Sequence, residues 1–269
     1  MTLFNNTSEP GKTGKSAENT MKKSPDSKEM KSRSGGKLFM LVLILAIGGG
    51  IALGSYFNRM AYVKSIEVSG NYFTDHETIV SKAAIPINIS PDSISFIATI
   101  ERIETLPYIK EAMLRKRPSG KMEIKVIERE PIGLLINGSR HQYFDADGII
   151  LPIITGKSVD VPLVYGLSAS SAIDTLNSDA FQDIRNFLII AKNDVIAAST
   201  LSEIAWTKDE GIVALSTENG IRIVFGSINL AEGIRNWNLF YTQVIAVRGP
   251  SEFSSVDLRY NGQIVTRES

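Results

Sequence analysis

Few residues of the types that enzymes use as nucleophiles, bases or metal ligands occur in this chain of 269 residues. It has no cysteine and only two histidines, His76 and His141. The missing thiols exclude disulfides, iron–sulfur clusters, thiol catalysis and cysteine-based zinc sites. Two histidines leave little for a Ser–His–Asp triad, and no serine stands in the G-x-S-x-G pattern of a nucleophile elbow. We therefore expect no catalytic site, no metal site and no cofactor.

Three short motifs could still bind a ligand or form a polar site. Residues 11–16 read GKTGKS, but a phosphate-binding loop needs a glycine five residues before Gly14, where Glu9 stands. Residues 145–148 read DADG, but they lack the third Asp/Asn position and the distal Glu of a calcium loop, so a plain turn is predicted. Asp257 and Arg259 share one face of a predicted strand, and we expect a solvated ion pair.

The charges are balanced in number but not in position. The chain has 29 Lys and Arg and 29 Asp and Glu, yet residues 1–37 sum to +4 and the remainder to −4. A globular part with net negative charge does not attract phosphate backbones, which argues against a nucleic-acid partner. Residues 1–37 contain almost no large apolar side chains and are predicted to be a disordered tail.

Residues 38–57 form an uninterrupted run of 20 residues without a charge. A helix of that length is about 30 Å long, which matches the hydrocarbon core of a bilayer. A cleaved signal peptide is the alternative, but its apolar part is usually about 7–15 residues long. Four basic residues precede the run closely, whereas two follow it, which places the N-terminus in the cytoplasm and the rest across the membrane.

The segment after the apolar run has the pattern of a small α/β module. A strand at residues 62–69 is followed by a helix opening with a capping box at residues 74–77 and ending before Pro86. A second helix is predicted over residues 91–106, and a hairpin over residues 109–130 with its turn at residues 118–120. We expect the two helices to cover one face of a three-stranded sheet.

The remaining segment is predicted to be rich in antiparallel strands. Four hairpin signals lie in or beside strand-like runs, and each favours a type I′ turn: Asn137-Gly138, Asp147-Gly148, Asn219-Gly220 and Asn261-Gly262. Two helices interrupt the strands. One carries the apolar stripe Phe181, Ile184, Leu188 and Ala191, and the other carries Leu230, Ile234, Trp237, Tyr241 and Val244, with Asn229 and Glu232 as a capping box.

Several motifs in the first module resemble a POTRA domain of the FtsQ/DivIB family of bacterial division proteins, and others in the second module continue the family pattern in order. In the first module they are residues 68–71 (VSGN), 106–110 (LPYIK), 115–118 (RKRP) and 128–131 (EREP). In the second they are residues 143–145 (YFD), 225–226 (FG) and 256–260 (VDLRY). The resemblance covers about residues 62–266. It implies an α+β protein with a tail at 1–37, a membrane span at 38–57, a POTRA domain at 61–131 and an FtsQ-type β domain at 132–269.

The resemblance also implies a function and a site. Such proteins are non-catalytic scaffolds of the inner membrane at the division septum that recruit the small division proteins FtsB and FtsL. After Asn261-Gly262 the chain has room for one short strand, residues 263–269, which would pair on one side with residues 255–260 and leave its other edge open to a partner strand. Carried over to this sequence, the partner-binding residues are Arg259, Tyr260, Gly262, Gln263, Ile264 and Val265.

Two functions of other classes remain open from the sequence. A membrane-anchored envelope hydrolase would need a cavity lined by convergent polar groups. A POTRA-bearing component of protein export would share the first module. Neither a nucleic acid nor a small-molecule substrate is expected as a partner.

Overall fold

The computed structural model describes residues 35–59, 62–167 and 175–269. It divides into one compact unit that ends at Gly54 and a second that runs from Ser55 to Ser269. The predicted disordered tail lies almost entirely outside the described residues.

Helix α1 (Gly35–Arg59) contains the apolar run. Residues 36–56 have the length and hydropathy of a membrane-spanning helix, and their side chains are all exposed. Exposed leucines and isoleucines of this density would be unfavourable in water, so the helix requires an apolar environment.

The POTRA-like module has the predicted order of strand, helix, helix, strand, strand. Its elements are β1 (Ser65–Ser69), α2 (His76–Ala83), α3 (Phe96–Glu104), β2 (Ile109–Arg117) and β3 (Lys121–Glu128). β3 lies in the middle of the sheet, parallel to β1 and antiparallel to β2. Alternate residues of β3 point into an apolar core with the two helices, and Met122 and Ile124 are fully buried there.

Two details of this module differ from the prediction. The capping box at α2 does not form: Asp75 is the N-cap residue but makes no capping bond, and its carboxylate instead pairs with Lys157 at 3.0 Å. The predicted helix over 91–106 is two helices, a 3-10 turn (Pro91–Ser93) and α3, because Ser95 caps a new helix start by accepting a hydrogen bond from the Ala98 N–H. Within α3, Ile97 is 73% exposed and does not pack in the core.

The second module is a nine-stranded sheet with helices on one face. Its strands are β4 (Pro131–Asn137), β5 (Arg140–Asp145), β6 (Ile150–Leu151), β7 (Leu163–Tyr165), β8 (Leu201–Thr207), β9 (Gly211–Ser216), β10 (Arg222–Gly226), β11 (Phe253–Asp257) and β12 (Val265–Glu268). Its helices are α4 (Asp179–Lys192), α5 (Val195–Thr200), α6 (Leu230–Phe240) and α7 (Ala246–Arg248), with a π-turn (Tyr241–Ile245) between the last two. The α+β class is confirmed.

The expectation of an antiparallel sheet with two helices is wrong in detail. The strand order is β12-β11-β10-β9-β8-β7-β4-β5-β6, and three neighbouring pairs are parallel: β4 with β7, β7 with β8, and β10 with β11. Two of these pairs are joined by helical crossovers, α4 with α5 and α6 with α7. Parallel neighbours need such a long connection. The helices between these strands therefore allow the parallel pairing that makes the sheet mixed.

The four predicted turns all connect antiparallel neighbours, but only one has the expected geometry. Asn219 and Gly220 both have positive φ (62° and 61°), as a type I′ turn requires. At the other three dipeptides only the glycine has positive φ.

Both predicted apolar stripes pack on the sheet. Phe181, Ile184 and Leu188 of α4 and Ile234 and Trp237 of α6 are buried in one core. The predicted capping box at Asn229 does not form, because Asn229 has a left-handed conformation (φ 55°) and makes no side-chain capping bond.

The two modules contact each other through a small apolar cluster with polar bonds around it. The rings of Phe73 and Tyr108 stack with centroids 4.3 Å apart, and they pack with Tyr143 and Leu151. The Tyr108 hydroxyl donates to the Pro152 carbonyl at 2.6 Å. Burial raises the pKa of Tyr108 to about 12, so the hydroxyl keeps its proton over the physiological range.

Glu128 anchors the turn that brings Phe73 to this cluster. Its carboxylate accepts three hydrogen bonds of 2.6–2.7 Å from the backbone N–H groups of Tyr72, Phe73 and Thr74. A carboxylate bonded to three backbone donors fixes a loop more firmly than a surface ion pair does.

We expect Glu128→Gln to lower the free energy of unfolding by about 1–3 kcal/mol, because an amide nitrogen would face a backbone donor. Glu130→Gln is the matched control: Glu130 is exposed and only pairs with Lys192 at 3.3 Å, so its loss should cost less than about 0.5 kcal/mol. Denaturant unfolding of the full chain in detergent measures both. Equal effects of the two substitutions would contradict the role given to Glu128.

Candidate partner-binding edge

β12 is the last strand of the nine-stranded sheet and pairs with β11 alone. All four of its residues are exposed. Among the described residues nothing covers its other side, so this is an open edge with free backbone donors and acceptors.

The pairing of β11 fixes which backbone groups of β12 point outward. The Leu258 N–H donates to the Val224 carbonyl at 2.9 Å, so Leu258 and, by alternation, Val256 direct their backbone groups to β10. Asp257 then faces β12 and pairs with Val265, while Thr266, opposite Val256, points away from β11.

The other end of the strand gives the same assignment independently. The Ser269 N–H donates to the Glu252 carbonyl at 3.1 Å, and the Arg267 carbonyl accepts from the Ser254 hydroxyl at 3.1 Å. Residues 267 and 269 therefore face inward. The N–H and C=O of Thr266, and the N–H of Glu268, face the open edge.

The predicted partner-binding residues lie mostly in the turn that precedes the edge strand. Only Val265 is part of β12; Arg259, Tyr260, Gly262, Gln263 and Ile264 connect β11 to it. β11 ends at Asp257, three residues earlier than predicted. The Asp257 carboxylate accepts the Arg259 N–H at 3.1 Å, and this local bond takes the donor out of the strand ladder.

The turn presents apolar side chains next to the open edge. Tyr260 is 50% exposed, Ile264 37% and Val265 49%. The turn itself is closed by a 3.2 Å bond from the Gln263 N–H to the Tyr260 carbonyl. Gly262 has φ 70°, which a type II turn requires at its third residue.

A shallow groove of about 160 Å³ lies beside the same turn. It separates the turn from the start of α6 and is lined in part by Ile228, Asn229, Glu232 and Asn236 on one side and by Tyr260 on the other. Ile228 is 80% exposed there. The groove connects the turn to the helical face of the domain, and most of its lining residues are polar.

The predicted pair of Asp257 and Arg259 forms. The guanidinium donates to both carboxylate oxygens, at 2.9 Å from Nε to Oδ1 and 2.6 Å from Nη2 to Oδ2. The hydrogen bond from Arg259 holds the pKa of Asp257 below its usual value, and the same bond raises the pKa of Arg259. The Arg259 stem also lies over Gly226 on the outer face of the sheet, which is the face opposite the helices.

A second ion-pair group, which sequence analysis did not identify, lies on the helical side of the edge. Arg248 of α7 bonds Glu252 at 2.6 Å and Glu268 of β12 at 2.9 Å, and its guanidinium lies 4.9 Å from the ring centroid of Phe253. These contacts link the end of the second crossover to the edge strand. A 20-residue separation between Arg248 and Glu268 leaves no local pattern to read.

A polar cavity of about 440 Å³ lies elsewhere in the described residues and is lined in part by Lys110, Arg129 and Asp147. Among residues 35–59, 62–167 and 175–269, no group of three or more His, Asp or Glu side chains could hold a metal ion. One cavity of about 170 Å³ lies between β4, β8, α4 and α5. Its lining is mainly aliphatic, with Asp160 and Lys192 as the charged residues.

The contribution of the Asp257–Arg259 pair to the free energy of unfolding should depend on pH. A depressed folded-state pKa contributes stability above the unfolded-state pKa, and this contribution is lost as the pH falls through the folded-state value. We expect Asp257→Asn to lower the free energy of unfolding by about 0.5–1 kcal/mol at pH 7 and by less at pH 2. Urea unfolding of both proteins at the two pH values tests this. A difference of the same size at both pH values would contradict it.

The comparisons with known proteins agree with this architecture. A family model described as FtsQ/DivIB, C-terminal related, matches residues 130–267, and one described as POTRA domain, FtsQ-type, matches residues 62–129. Cell division protein FtsQ of Salinibacter ruber is 25% identical over 233 residues, which cover 83% of this chain and 90% of that protein. Cell division protein FtsQ of Rhodothermus marinus is 25% identical over 210 residues, which cover 76% of this chain and 76% of that protein.

One solved structure is similar over part of the chain. It is the major extracytoplasmic domain of the trans isomer of DivIB from Geobacillus stearothermophilus, with 12% identity and a TM-score of 0.30, covering 44% of this chain and 96% of that one. The first family model alone spans more than half of the 269 residues, as the sequence motifs predicted. The chain therefore belongs to the FtsQ/DivIB family of membrane-associated bacterial cell division proteins.

Proposed function

We propose that this protein is a non-catalytic, membrane-anchored scaffold that recruits FtsB and FtsL by adding a strand of the partner to β12. The observation that supports the proposal is the open edge, where Thr266 directs its N–H and C=O away from β11. Strand addition uses such groups for affinity and the neighbouring side chains for specificity.

The backbone bonds alone are too few for a stable complex. The N–H and C=O of Thr266 and the N–H of Glu268 could form about three hydrogen bonds, each worth roughly 0.5–1.5 kcal/mol net. Their sum of about 1.5–4.5 kcal/mol falls short of the roughly 8 kcal/mol of a micromolar complex. The remainder must come from side chains, so the partner should also cover Tyr260, Ile264 and Val265.

The exposed turn has the properties that such a contact needs. Tyrosine contributes a large contact area at low cost in conformational entropy, and half of Tyr260 is exposed. Burying the three side chains would remove apolar surface from water without moving the sheet. Arg259, Gly262 and Gln263 then act by shaping the turn, since Arg259 is already held by Asp257.

We further propose how the chain is divided and placed. Residues 1–37 form the cytoplasmic tail and residues 38–57 the single span. The POTRA domain, residues 61–131, and the β domain, residues 132–269, lie on the periplasmic side at the division septum. The excess of basic residues before α1 supports this orientation. Even staining of the envelope by a fluorescent fusion would contradict the septal position.

The decisive variant is Thr266→Pro. Proline removes the outward N–H and places its ring in the path of an incoming strand, but it removes no bond to β11, so the fold should be kept. We expect binding of the full chain, in detergent, to the FtsB–FtsL complex to weaken at least tenfold.

Thr266→Val is the matched control, because valine has a similar shape and keeps the N–H. Its dissociation constant should stay within about threefold of the unsubstituted chain, and the thermal unfolding midpoint of both variants should change by only a few degrees. If Thr266→Pro binds the complex as tightly as the unsubstituted chain, strand addition at β12 is wrong.

A further inference from the structure

We infer that Arg267 selects a partner strand that carries a carboxylate side chain opposite it. This inference rests on the proposed strand addition and adds the chemistry of the segment that docks. It starts from the state of the three arginines around the edge strand.

Two of these arginines are already neutralised within the domain. Arg248 bonds Glu252 and Glu268, and Arg259 bonds Asp257. Arg267 is exposed, and its side chain makes no hydrogen bond or ion pair with any residue of the described part of the chain. It is therefore a free cation placed directly on the open edge.

The register of the sheet shows where the Arg267 side chain points. Arg267 is opposite Ser255 in β11, and Ser255 is opposite Arg222 in β10, so the three share one row on the outer face. Val256 and its neighbour Thr266 face the helical side, since Val256 is fully buried in the core beneath the helices. Ser255 offers no charge, and Arg222 is paired with Glu210.

A strand added to β12 would continue this row by one position. Directly opposed residues in neighbouring strands have Cβ atoms about 4.5–5.5 Å apart, within reach of an Arg–carboxylate bond. A like charge at that position would be unfavourable, so the same contact rejects basic segments.

The next position on the outer face adds a second requirement. Val265 is two residues before Arg267 and shares its face, and it is 49% exposed. The docking segment should therefore present an acidic and an apolar residue two positions apart. The acidic residue comes first if the added strand is antiparallel to β12 and second if it is parallel.

Charge reversal at Arg267 tests the inference. We expect Arg267→Glu to weaken binding of the full chain to the FtsB–FtsL complex about five- to tenfold at 50 mM salt, and less at 500 mM salt because the interaction is screened. Arg267→Gln should weaken binding about two- to threefold. Arg140→Glu is the matched control, since Arg140 is exposed and lies in β5, near the opposite end of the nine-stranded sheet from β12; its effect should stay below twofold.

The partner side of the pair is tested by replacing each Asp and Glu of its docking segment with Lys, one at a time. One of these variants should bind Arg267→Glu more tightly than it binds the unsubstituted chain. If no variant restores binding, or if Arg267→Glu binds normally while Thr266→Pro does not, the carboxylate inference is wrong and strand addition stands. If Thr266→Pro also binds normally, strand addition fails and the inference fails with it.

Discussion

An unpaired backbone edge is the feature that the proposed partner binding requires. In a sheet every N–H and C=O directed at a neighbour is satisfied, and the last strand keeps one unsatisfied row. In this protein one such row belongs to β12, a strand of four residues at one end of the nine-stranded sheet that pairs with β11 alone. Its outward groups are few, so any partner must also engage side chains of the preceding turn. In the proposed complex, the backbone groups of β12 and the side chains of the turn would together supply the affinity.

The rest of the β domain holds this edge in place. The crossover through α6 and α7 returns the chain beside β10, and the parallel pairing of β10 with β11 determines the direction of each backbone group in β12. Asp257 and Arg259 close the outer side of the turn, and Arg248 links α7 to Glu268 on the helical side. Each ion pair is worth little alone. Together they orient a short hairpin whose own four residues could not form a stable strand.

Local patterns in the sequence predicted the local parts of the structure well. The hairpin of β2 and β3 and the final strand follow from turn signals, and the apolar stripes of α4 and α6 follow from a short periodicity. The parallel pairings were missed, although two helices lying between strands are the usual sign of crossovers. The capping box at α2 does not form because tertiary bonds replace it: Glu128 accepts the Thr74 N–H, and Asp75 pairs with Lys157. The outward direction of Thr266 depends on the register, which no sequence pattern contains.

Residue-resolved amide exchange of the full chain, with and without the FtsB–FtsL complex, measures whether a partner strand pairs with β12. In the free chain the amides of Val265 and Arg267 face β11 and should exchange slowly, while that of Thr266 should exchange fast. Binding should slow the exchange of Thr266 and Glu268 and leave Val265 and Arg267 nearly unchanged. A complex that forms while Thr266 still exchanges at its free rate would contradict the account.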